Sequence, residues 1–159
     1  MSSLTLMSYS SVGLADSRDQ AKRLHDRLAG VPPTASVLQD METLIDNGSA
    51  VDAAYTAMDN ANFYNVTLKN WATAWTNEEQ DIFAPLNDFT ATVIGLIRDS
   101  TQNSNSIDYR ELLYGNVLYV GTEGLGVPAY SINNNDHYAA LESQGIDLQA
   151  NLQAVLQSD

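Results

Sequence analysis

Two histidines, His25 and His137, are the only side chains in this sequence that ordinarily titrate near neutrality, and neither has the neighbours that a metal site or a catalytic pair needs. A helical metal pair places its second ligand three or four residues on, yet position 29 is Ala and position 141 is Leu. The closest approach to a constellation is Asp136-His137 with Glu123 from the preceding stretch, for which a surface or capping role is the simpler reading. Tyr130, Asp136 and His137 are therefore retained as a ligand or surface site within the segment 121–137. No residue is assigned to catalysis, to a cofactor or to a metal.

The other candidates carry less. Asn133, Asn134, Asn135 and Asp136 offer a run of oxygens suited to calcium, but the alternating acids and central glycine of an EF-hand loop are missing, and asparagine-rich caps explain the run. With 20 acids in the chain, some pair always stands at glycosidase spacing, so that signal is empty. No Gly-X-Ser-X-Gly elbow is present. Gly121, Gly124 and Gly126 stand in the wrong order for a dinucleotide fingerprint and read as flexibility or close packing. Asn65-Val66-Thr67 matches a glycosylation acceptor but falls in a stretch expected to be helical, where chance explains it. Trp71, Trp75 and the 8 tyrosines could line an aromatic pocket, yet helical spacing favours core. There is no cysteine, which excludes disulfides, thiolate metal sites and covalent haem within this chain.

Composition narrows the partners. The 159 residues are 44% hydrophobic and 17% charged, suited to one folded domain. A net charge of −13 opposes nucleic acid and anionic membrane surfaces, and no apolar run is long enough to span a bilayer. Four of the 7 bases, Arg18, Lys22, Arg23 and Arg27, crowd into one short segment. That basic face docks on the acidic body in the simpler reading and meets a protein partner in the other. Met1 to Ala15, small and uncharged, reads either as the remnant of a secretory signal or as a flexible N-terminus, leaving 16–159 as a single helical domain.

The elements that must position these groups are predominantly helical. Ala21, Leu24 and Leu28 predict a first helix stopped by Gly30 and Pro32-Pro33. Thr34 caps a second, and Ser49 with Asp52 opens a third. Phe63 to Trp75 reads as a buried aromatic helix, and Thr76 to Glu79 has capping-box spacing. After Pro85, a helix capped by Asn87 or Asp88 and ending near Asp99 is the expected centre of the core. A short helix capped by Ser106 or Asp108 runs through Tyr114. Val117 to Val120 is extended without an evident partner, and the long irregular stretch spans roughly 115–135. Two last helices cover about 136–144 and 147–157, divided by Gly145. The expected fold is all-α, an irregular bundle of about seven helices.

Three phrases add a resemblance: Ala21 to Pro33, Phe63 to Trp71 and Tyr109 to Gly121, with Val127 to Ser131 and Asn135 to Leu141 following. They resemble the N-terminal region of large bacterial secreted proteins of a cytochrome-c-like group built from domains of unknown function, over most of residues 18 to 157. The resemblance implies export or a periplasmic location and a redox parent whose haem motif lies far downstream. No such motif stands here, so no haem ligand is transferred, and haem c enters only through a longer parent. A non-catalytic accessory domain beside a redox domain, joined covalently or not, is what the resemblance implies. The alternatives are an autonomous ligand-binding protein or enzyme using 121–137, and a structural protein-interaction module. Oligomeric state is left open.

Overall fold

The computed structural model describes residues 16–76, 84–102, 108 and 110–157. The expectations for 1–15, for the Thr76–Glu79 capping box beyond Thr76, and for Ser106 lie outside those residues.

Three helices open the chain: α1 (Ser17–Leu28), α2 (Ala35–Asp46) and α3 (Ala50–Met58). Each touches the other two, and Ala21, Met41, Ala53 and Ala57 form their shared core. Three of those four residues are alanines, small enough to let helix backbones approach closely. The ends follow local chemistry. Thr34 Oγ1 accepts the Val37 N–H at 3.3 Å, while Gly30 and Gly48 adopt the left-handed φ of 72° and 77° that stops α1 and α2. Ser49 makes no side-chain cap bond, contrary to expectation.

The second half is built around α5 (Asp88–Gln102), which is longer than its sequence suggests and buried on nearly every side from Thr90 to Leu96. Asn87 caps it, its Oδ1 accepting the Thr90 N–H at 3.0 Å. A π-helical turn (Phe63–Leu68) runs into α4 (Lys69–Thr73) on one side of α5. The remaining elements are α6 (Glu111–Tyr114), β1 (Leu118–Gly121), α7 (Asp136–Ser143), α8 (Leu148–Asn151) and β2 (Leu152–Val155). Phe63, Tyr64, Leu86, Ile94, Tyr119 and Tyr138 belong to this larger core, and Leu28 packs against both clusters.

Two expectations are corrected here. The fold is mostly helical but not strictly all-α, because β1 finds an antiparallel partner in β2 with Leu118 opposite Val155 and Gly121 opposite Leu152. The helix expected over 147–157 accordingly stops at Asn151. The reason lies in burial: all four β1 residues are buried between α5 and α7, and buried peptide groups need partners. Leu152–Val155 supplies them on one edge. On the other side, Thr92 Oγ1 accepts the Tyr119 N–H at 3.3 Å.

The π-helical turn has an identifiable use. Asn65 donates through Nδ2 to Ile146 O and accepts the Leu148 N–H at Oδ1, both at 2.9 Å, pairing with the loop before α8 as a neighbouring strand would. The amide of the apparent glycosylation triplet is thus engaged inside the fold.

Candidate functional site

Trp71 on α4 and Trp75 in the turn just after it form one aromatic face, their ring centroids 4.9 Å apart. That face is not core. Trp71 and Trp75 are 53% and 65% exposed, which overturns the packing expected from their spacing. Below them Ala72 is buried, and α5 contributes Phe89, Val93, Leu96 and Ile97, a stripe at i, i+4, i+7 and i+8. Leu112 and Leu113 of α6 form the remaining wall. The result is an open apolar groove of about 320 Å³ whose described lining contains no charged side chain.

The groove continues. A second cleft of about 180 Å³ shares Phe89 and Leu112 with it and is further lined by Asp88, Thr92, Val117 and Gln157 among others. Beside this continuous surface Leu113 and Tyr114 stand 82% and 69% exposed. Their exposure follows from geometry: Leu112-Leu113-Tyr114 on a helix of 4 residues points in three directions, and only one can face α5. That run of large apolar residues on a single turn was the available sequence signal for the site.

Charge at the rim is negative. Asp88 is exposed at the start of α5, and Glu111 begins α6. Arg110, the nearby base in sequence, is bound to Asp108, whose carboxyl is held down to about 2 by the Arg110 side-chain and backbone hydrogen bonds. Arg110 also feels the charge of Glu111, so this one base stands against Asp108 and Glu111 together, and Asp88 adds a further negative charge.

The residues singled out from sequence are placed differently. His137 is 4% exposed, and both ring nitrogens are engaged: Nδ1 lies 2.7 Å from Pro128 O and Nε2 lies 2.9 Å from Gly121 N. A carbonyl only accepts and an amide only donates, so the ring is neutral with its proton on Nδ1. His137 clasps the 121–128 loop to α7. Tyr130 packs edge-on to His137 and Tyr138 at centroid distances of 6.4 and 5.9 Å. Burial, followed by the charge of Asp88, pushes the Tyr130 hydroxyl above its ordinary range. Asp136 is exposed, its N–H donating to Asn134 Oδ1 at 3.1 Å. The structure therefore brings Tyr130 and His137 into contact as packing partners and leaves Asp136 on the surface.

Tyr130 also lines a polar cleft of about 260 Å³ with Asp88, Ser131, Ile132, Asn133, Asn134, Asn135 and Tyr138. Several of its polar atoms hold the loop: Ser131 Oγ accepts the Asn133 N–H, and Asn135 Nδ2 donates to Leu86 O at 2.9 Å. Of the N-terminal bases, Arg18 pairs with Glu42 at 2.8 Å and Lys22 with Asp26 one turn on, whereas Arg23 and Arg27 are exposed without an ion pair to another described residue. His25 is buried, Nδ1 bonding Val31 O at 2.8 Å to close the turn after α1.

One half-buried polar network had no sequence signal. Asp99 Oδ1 accepts from Arg98 Nε at 2.7 Å and Oδ2 accepts from Tyr119 at 2.6 Å, while Arg98 Nη1 donates to Gln149 O and Leu152 O. Burial raises the Asp99 pKa, but the hydrogen bonds from Arg98 and Tyr119 outweigh it and hold the carboxyl below its usual range. This network joins α5 to β1, α8 and β2.

Among the described residues, no group of three or more His, Cys, Asp or Glu is arranged to hold a metal ion, and no helix is long and apolar enough to cross a membrane. Comparison with protein-family models, with curated proteins and with solved structures finds no match.

Proposed function

We propose that this chain is a non-catalytic helical accessory domain that packs against a separate functional domain through the apolar groove. The observation that carries the reading is the exposure of Trp71, Trp75, Leu113 and Tyr114 around a groove with no charged group in its described lining. An enzyme or a specific small-molecule site needs polar groups converging on its ligand, and a contiguous exposed apolar surface rimmed by charge suits a partner. His137, the residue best suited to acid–base work, has both nitrogens committed to the loop it holds. The haem-bearing redox domain implied by the resemblance is one candidate for the second domain.

The test uses the tryptophans, because the only 2 in the sequence both line the groove. Acrylamide quenching of their fluorescence is expected to be at least threefold stronger in this chain alone than in the intact native gene product carrying the second domain. Equal quenching in the two, or a native product identical to this chain, overturns the accessory-domain reading.

A further inference from the structure

Resting on that reading of the groove as a docking surface, we propose that its occupant is a cationic amphipathic helix of the partner. The groove is walled by the side chains of α4, α5 and α6, and its described lining is apolar. An extended segment laid there would bury its peptide N–H and C=O groups without partners, whereas a helix satisfies its own. A helix also presents side chains at i, i+3, i+4 and i+7, the pattern that fills a trough between helices.

The sign of the partner follows from the rim. Asp88 lines the continuation of the groove, Glu111 opens the α6 wall where Arg110 is shared between it and Asp108, and the chain carries −13 overall. Lys or Arg beside the apolar stripe meets these carboxylates, and long-range attraction speeds encounter. A second copy of this chain would bring a second net charge of −13, so self-association is disfavoured.

The experiment titrates the chain with two synthetic helix-forming peptides that share a Leu stripe, one with Lys and one with Glu at the remaining positions. Tryptophan emission is followed, and the neutral dye Nile red reports on the groove separately. The Lys peptide is expected to blue-shift the emission and bind at least tenfold more tightly than the Glu peptide at low salt, with the gap closing as salt rises. Leu113→Asp weakens binding of the Lys peptide at least fivefold, and Asp88→Asn with Glu111→Gln removes most of its advantage. Equal affinities for the two peptides overturn the cationic assignment. Nile red binding without either peptide overturns the helix and leaves the groove as a site for a small apolar molecule; if the dye also fails to bind, the docking reading fails with it. Emission already typical of buried indoles in the free monomer means that the chain fills its own groove, and a concentration-dependent dimer means that a second copy does. Either result sinks the proposal.

Discussion

Gly95 and Tyr119 occupy adjoining space: a Cβ built on Gly95 would stand only 2.0 Å from Cδ1 of the Tyr119 ring. Glycine in the middle of a helix ordinarily costs about 1 kcal/mol relative to alanine, and the tyrosine ring is what that cost accommodates. The same ring is fully buried, receives the Arg98 guanidinium at 5.8 Å from its centroid, and donates its hydroxyl to Asp99. One side chain thereby fastens β1 to α5.

Replacing Gly95 by alanine is expected to destabilise the fold by about 1 to 3 kcal/mol, because overpacking outweighs the gain in helix propensity. Urea unfolding measures it. With Tyr119→Leu in the background the Gly95→Ala penalty should largely disappear; strictly additive effects would show that the two positions do not share space.

Tyr119→Phe keeps the ring and deletes the bond to Asp99. A loss of about 1 to 3 kcal/mol at neutral pH is expected, since the accepting group is charged. The folded pKa of Asp99 is depressed, so its contribution is present above the ordinary carboxylate range and is lost as pH falls through the depressed value. The stability gap between the two proteins should narrow on acidification. A gap constant from neutral pH to below pH about 3 would mean that Asp99 is not the ionised partner.

At the alkaline end the sign reverses. Burial is the largest cause raising the pKa values of Tyr119 and Tyr138, and Asp99 adds to the shift at Tyr119. Both phenols therefore stabilise the fold fully below the unfolded tyrosine pKa, and that stability is lost as pH rises from about 10 toward the folded values. Tyrosinate absorbance should show late-ionising groups that appear together with the loss of helical circular dichroism. Complete tyrosine ionisation in a still-folded chain would contradict it.

His137→Ala removes the partner of the buried Gly121 N–H and the donor to Pro128 O. A cost of about 1 to 3 kcal/mol is expected, together with faster proteolysis within 122–131, while Nile red binding at the distant-in-sequence groove stays within twofold of wild type. Loss of dye binding in a folded variant would tie His137 to the groove.

Asn65 supplies both a donor and an acceptor to the 146–148 loop. Asn65→Asp keeps the acceptor and leaves Ile146 O without its donor, so both Asn65→Asp and Asn65→Ala should destabilise by about 1 to 3 kcal/mol. A neutral Asn65→Asp result would show that the Ile146 bond contributes nothing.

Local chemistry was legible wherever one residue type settles a backbone question. Thr34 and Asn87 cap their helices, Gly30, Gly48 and Gly145 take positive φ at helix ends, and Pro85 precedes the start of α5. The stripes of α1, α2 and α5 follow from period 3.6 because each helix has a face to bury. The candidate loop was legible only as an irregular segment. His137 reads identically as catalyst or clasp until Gly121 N–H and Pro128 O are placed at its two nitrogens.

The sequence by itself determined an acidic, mainly helical chain, because charge is additive and helical periodicity and capping act within a few residues of one another. Tertiary structure decided the rest. Whether Leu152–Val155 extends a helix or pairs as a strand depends on the buried edge of β1, more than thirty residues earlier, whose peptide groups need partners. Whether Trp71 and Trp75 line a core or an open groove depends on how much of them α5 and α6 cover, and identical periodicity serves both outcomes. Spacing specifies which side chains share a face; only the packing of distant segments specifies what that face meets.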